Sequence, residues 1–294
     1  METLTLELTR NGNGLWDVTQ KPATPAPTFD DGRQPPKYRL EPADGGSGFY
    51  AVALRNIFHG DGSIAISAGT RSGWLASDRS LSQHGTCWTE PDTKVKDYAR
   101  VAGYSRLRRR AVLADNAFIT GHATIAGDAQ ILGSAQIEGY AQIYGQAVVQ
   151  DGRVQGNARL EDNARVEGGG VLLDGNTILQ DNAIVRSEED LFISQGCFGG
   201  DMLVTASDRY LVVSSAWGPV LVAPTASGQW TGRVGCQTFN NFAELHELAD
   251  SNIDESDDFA RQILGRYMAL VRRSLKAWGI DKDIIDETTE DRDM

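Results

Sequence analysis

The chain carries four histidines, His59, His84, His122 and His246, and histidine is the side chain best suited to proton transfer or metal ligation near neutral pH. His122 alone falls inside the periodic region described below. It occupies a corner slot that other repeats give to Asn116, Asp128 and Ser134. Because such a slot tolerates a left-handed backbone, the plain reading of His122 is a corner residue, and the chemical reading is a general base. His84 reads first as a surface residue, and His59 and His246 stand isolated. A zinc site shared across subunits takes three histidines, and the periodic region supplies only one. The three cysteines, Cys87, Cys197 and Cys236, lack metal-type spacing. Their odd number fits reduced thiols in a cytoplasmic setting rather than a disulfide scaffold. The sequence has no Walker-type phosphate loop, no Cys/His cluster and no serine-nucleophile motif. Neither a catalytic set nor a metal site is therefore expected.

A second candidate is a basic cluster, Arg100, Arg106, Arg108, Arg109 and Arg110. Arg106 and Arg108 flank the aliphatic Leu107, so the alternation of a strand turns both outward. Such a cluster could hold an anion or a partner, or it could be a solvated face with ion pairs to acidic neighbours. The formal net charge of −12 is unevenly placed: Arg186 to Met294 holds 10 basic and 19 acidic residues, whereas Thr93 to Val185 holds 10 of each. An acidic surface disfavours nucleic acid and anionic membranes as partners. No stretch approaches the roughly 18 apolar residues of a membrane span, and Met1 to Gly14 lacks the apolar core of a secretory signal. A cytoplasmic protein is expected.

The elements that must position these residues are written in a period of six. An aliphatic residue recurs at Val95, Val101, Leu107, Leu113, Ile119, Ile125, Ile131, Ile137, Ile143 and Val149, with a small residue two positions earlier and, from Asp115 onward, Asp or Gly two positions later. Residues two apart on a strand share a face, so the aliphatic and small residues point inward. Asp and Gly tolerate positive φ and mark corners. The phase slips by one residue to Val154, Leu160 and Val166, and Gly168-Gly169-Gly170 restores it for Leu173, Leu179 and Val185. A tightened corner followed by a bulge accounts for both steps. A short strand and a corner every six residues give three sides per coil, hence about five coils from sixteen anchors. One side, anchored by Leu113, Ile131 and Val149, carries the outward residues Val112, Leu132 and Val148. An outward apolar stripe marks packing against a terminal domain or another subunit, and a homo-oligomer, with a trimer favoured, is expected there.

Flanking segments complete the expected organisation: an N-terminal strand with a Pro-rich linker at 1–37, a β cap at 38–92, the coil at 93–185, a C-terminal α+β domain at 186–280, and an acidic tail at 281–294. Runs at Leu203–Thr205, Tyr210–Val213, Val220–Val222 and Gln229–Val234 read as strands. Asn240 or Asn241 can cap a helix over Phe242–Leu248. A longer helix should begin near Asp254–Asp258 and end near Gly279, its apolar stripe formed by Phe259, Ile263, Tyr267, Leu270, Val271 and Leu275.

Two motifs in the cap, Gly69-Thr-Arg-Ser-Gly73-Trp74 and Leu81-Ser-Gln-His-Gly-Thr-Cys-Trp88, lead straight into the repeats. Together with Val234-Gly235-Cys236, Phe239 and the terminal helices, they resemble the hexapeptide-repeat proteins of bacteriophages, prophages and enterobacteria, many of which carry an acetyltransferase label. Ser72 departs from the family's Gly-Gly pair. The resemblance spans roughly Tyr38 to Ile280 and implies a left-handed parallel β-helix, often trimeric. The expected fold is therefore mainly β, a left-handed parallel β-helix with an N-terminal β cap and a C-terminal α+β domain. The leading functional expectation is a non-enzymatic, phage-type binding or scaffold protein without a cofactor, acting in the host cytoplasm on a host protein partner. The rivals are an acyl-CoA-dependent acyltransferase, with His122 or His84 as base, and a virion-associated structural protein.

Overall fold

The structure is a computed structural model, and it describes residues 6–10, 16–20, 35–215, 218–235, 237–251 and 258–280. The chain divides into two compact units, Met1–Lys37 and Tyr38–Met294. In the first unit, Leu6–Arg10 and Trp16–Gln20 pair antiparallel, Leu8 opposite Val18. Most of the expected Pro-rich linker lies outside the described residues, as do Cys236 and the acidic tail.

The second unit is a parallel β-solenoid of about seven turns. Its strands are mostly two or three residues long and stack into three faces. The first face begins with Trp88–Thr89, Arg106–Leu107 and Thr124–Ile125; the second with Lys94–Val95, Val112–Leu113 and Gln130–Leu132; the third with Arg100–Val101, Phe118–Ile119 and Gln136–Ile137. Stacked partners such as Ile119 and Ile137 lie three full repeats apart in the chain. The offset is one residue short of that at Ile137↔Val154 and one residue over it at Val154↔Leu173. The missing and extra residues therefore cancel, as the phase shifts imply.

The interior is built as the period requires. Each inward aliphatic from Val95 to Val185 is essentially without solvent exposure, and so are the preceding alanines such as Ala117, Ala123 and Ala129. Corners take the left-handed conformation at Asp97, Asp115, Asp151, Asp162 and Asp181 and at glycines including Gly103, Gly121 and Gly139. Gly121 shows why glycine is required there: a Cβ would lie 2.7 Å from the backbone nitrogen of Gly139 on the next turn.

The count of about seven turns corrects the expected five. Pairing begins earlier, with Thr89 taking the inward place beneath Leu107 and Leu81 bridging to Val101. It also continues beyond Val185, through Leu191–Ile193, Cys197–Phe198 and Leu203–Val204. Leu203 is thus a coil residue.

Both ends are closed. Arg71–Leu75 runs parallel to Lys94–Val95, and Tyr38–Pro42 and Phe49–Ala53 extend the same sheet antiparallel. Covering an open edge in this way removes a template for foreign strands. At the other end, Leu211–Ser215, Gly218–Pro224, Trp230–Val234 and Gln237–Phe239 form an antiparallel meander. Successive side chains from Val220 to Ala223 face opposite ways. Leu221 and Ala223 join the coil core, whereas Val220 and Val222 join a second core with the helices.

Helix α1 spans Phe242–Asp250, and the Asn241 side chain caps it by accepting from the Glu244 backbone amide. Helix α2 spans Asp258–Ala277. Its buried face is Leu264, Tyr267, Met268, Val271 and Leu275. Leu270 is exposed, which corrects its place in the expected stripe, and the side chains of Phe259 and Ile263 lie outside the described residues.

Candidate functional site

His122 follows Gly121 at the corner between the third and first faces. Its ring lies flat between Tyr104 and Tyr140, with centroids 4.6 Å and 4.9 Å apart and planes within 4° and 10°. These separations match the rung spacing of about 4.8 Å in any β-sheet, so the coil pitch itself sets the stack. The backbone fixes the column: Tyr104 N donates to Gly121 O and His122 N to Gly139 O, each at 2.7 Å. Both faces of the imidazole are covered by rings, and solvent meets it at the edge. Tyr104 and Tyr140 had a legible signal, since each lies three full repeats from His122. His84 is exposed on a different turn, ahead of Gly85, and its backbone amide bonds the Ser82 hydroxyl at 3.1 Å. The corner at Gly103 lies between them, with Gly85 on the turn before it and Gly121 on the turn after.

The five arginines do not form one patch. Arg100 is exposed on the third face, in register with Phe118. Arg106 is on the first face, turned outward from the coil, yet only 8% exposed, so it offers no open basic surface. It lies in register with Trp88, a buried ring that packs edge-on against Tyr38 of the cap. The Arg106 guanidinium donates to the Thr86 carbonyl, and burial draws its pKa below the ordinary arginine value. The cap therefore claims this residue as structure.

Arg108, Arg109 and Arg110 cluster at the corner between the first and second faces. Arg110 makes a bidentate pair with Asp128, both contacts 2.6 Å. The hydrogen bond raises the arginine pKa and lowers that of the carboxylate. Arg108 approaches Glu90 at 3.8 Å, and the same carboxylate accepts from the Arg109 backbone amide at 3.0 Å. Arg109 has φ of 60°, in a position where later turns place Gly or Asp. An arginine held there is strained, and such strain collects at functional positions. Beside it runs a groove of about 560 Å³ lined by Arg108, Arg109, Thr124, Asp128, Tyr144 and Gln146.

On the second face, Val112 and Val148 flank Gln130 in one outward row, and Leu132 follows Ala114 in the adjacent row. Val112, Leu132 and Val148 are half-buried. Charge begins on either side, with Lys94 in one direction and the Arg165–Glu167–Arg186 cluster in the other. Burial alone would raise the Glu167 pKa, but bonds from Arg165 and Arg186 outweigh it and hold the carboxylate low.

Sequence reasoning missed one ion pair with a buried partner. Arg233, on the meander, reaches back to the coil corner and bonds Asp181 at 3.1 Å. The Asp181 carboxylate also accepts from Gly200 N, and that bond, with the Gln180 and Arg233 contacts, holds its pKa below the usual range. The pair pins the C-terminal cap to the last turns. Among the described residues no group of three or more His, Cys, Asp or Glu could hold a metal ion, and no helix is long and apolar enough to cross a membrane. A scan against protein-family models and a search of curated proteins each return no match.

Proposed function

We propose that this chain is a non-enzymatic binding or scaffold protein of the phage and prophage type, in which the solenoid acts as a stiff spacer that assembles through its second face into a homotrimer and presents its corners to a host protein. The observation that supports this most is the second face itself. Its uncharged centre of Val112, Ala114, Leu132 and Val148 is framed by charged rows, the arrangement of an interface core within a polar rim. Sedimentation velocity on the purified chain tests it. The expected species is a trimer that dissociates in a Leu132→Asp, Val148→Asp double variant whose far-UV circular dichroism is unchanged. A monomeric parent chain would overturn it.

A second reading, acyl-CoA-dependent acyl transfer, draws on the groove beside Arg108 and Arg109, where two guanidinium groups could meet an anionic donor. His122 or His84 would then supply the base. Calorimetric titration with acetyl-CoA separates the two: saturable heat would favour transfer, and none is expected for a scaffold.

A further inference from the structure

The C-terminal end carries a site of a different character, a cleft of about 480 Å³ between the last coil corner, the meander and the start of helix α1. Its volume falls within the range of about 300–1,000 Å³ common to small-molecule sites. The described lining combines neutral polar side chains with one acid and one indole. Ser227, Gln229, Thr238 and Asn240 offer neutral hydroxyl and amide groups and are exposed, while among the described residues Asp201 is the only ionisable side chain on the wall. Trp230 also lines the cleft; it is 2% exposed, and its Nε1 has no hydrogen-bond partner among the described residues. A buried indole N–H without an acceptor is rare in a folded protein.

One side of the wall is braced by packing and hydrogen bonds. Trp230 is wedged edge-on against Phe239 at 6.0 Å and tilted on Phe242 at 5.2 Å. Thr231 bonds the Asn240 side chain at 2.9 Å. The Glu244 carboxylate accepts from the Asn240 backbone amide at 2.7 Å and from the Asn241 side chain at 2.8 Å. Polar groups locked by such partners lose little freedom when they bind a ligand.

These features select among ligand classes. An anion would meet Asp201, the one ionisable side chain on the described wall, with no cation beside it there. An apolar ligand would strand the hydroxyl and amide groups without partners. A ligand bearing many neutral hydroxyls satisfies them, since each hydroxyl both donates and accepts. We infer that the cleft bounded by Asp201, Gln229, Trp230 and Thr238 binds a neutral saccharide of one or two rings. This goes beyond the scaffold reading and stands whether or not the second face forms a trimer.

Saturation-transfer-difference NMR on the full chain tests it, with glucose, galactose, N-acetylglucosamine, lactose and maltose as neutral probes and sialyllactose as the anionic one. At least one neutral probe should receive saturation. A Gln229→Ala, Thr238→Val double variant, altered only at exposed positions, should weaken that probe about tenfold or more with an unchanged melting temperature. Should that variant fail to fold, Asp201→Asn carries the same expectation. Silence from every neutral probe, a stronger response to sialyllactose, or undiminished binding by a folded variant would each overturn the inference.

Discussion

Replacing Gly121 by alanine probes a close backbone contact that recurs at the solenoid's tight corners. At this residue φ is 68°, and an added Cβ would sit 2.7 Å from Gly139 N and 2.8 Å from Gly139 O, both backbone atoms that cannot swing away. Three effects add. The left-handed conformation costs an L-residue about 1–2 kcal/mol. Lower entropy of the unfolded chain returns about 0.4–1 kcal/mol. Overpacking against a fixed neighbour costs about 1–3 kcal/mol more. Gly228 separates the effects: its φ is 80°, but nothing lies within 4 Å of its Cβ position. Gly228→Ala should thus cost about 0–1.6 kcal/mol, and Gly121→Ala about 1–3 kcal/mol beyond that. Urea denaturation followed by circular dichroism measures both, provided the slope of each transition matches the parent's. Equal losses in the two variants would refute the claim that successive turns touch backbone to backbone at this corner.

Three further outcomes follow from the structure. Ile131→Ala, at a fully buried site in the middle of the coil, should lower stability by about 2–5 kcal/mol in the same denaturation assay. Arg109→Gly relieves a non-glycine φ of 60° and, net of the entropy that glycine adds to the unfolded chain, should raise stability by about 0–1.6 kcal/mol; a lower urea midpoint would show that the arginine is not strained. Asp174, Asp181 and Glu167 all have pKa values below the ordinary carboxylate range. A depressed folded-state pKa contributes stability above the unfolded value of about 4 and loses it as pH falls through the folded value. The melting temperature should therefore decline on acidification below about pH 5, and the decline should be smaller in Asp181→Asn.

The interior of the coil was legible because inward positions obey one rule, an aliphatic residue at every sixth place, and nothing else competes for them. Its ends were not. Thr89 holds an inward place without being aliphatic, and the Ser187–Asp190 excursion shifts the residue that stacks on Leu173 to Ile193, with Leu191 also inward, so the period is lost while the pairing persists. The burial of Arg106 was not legible, because strand alternation gives its direction and says nothing of the cap that covers it. The Arg233–Asp181 bond and the saccharide-type cleft join residues far apart in sequence, which no local pattern announces. Tyr104 and Tyr140 differ: their distance from His122 is a whole number of repeats, so their stacking was available to arithmetic.

The compensated offsets, short by one at Val154 and long by one at Leu173, set a rule for how this protein can change length. A single insertion inside a strand, not absorbed at a corner, would turn the next inward side chain outward. Extra or missing residues are therefore carried at corners, as at Gly168–Gly170 and Ser187–Asp190, or come in whole circuits of three repeats. Each circuit adds about 4.8 Å, so the coil is graduated like a ruler, and its reach can change in fixed steps without redesigning either end.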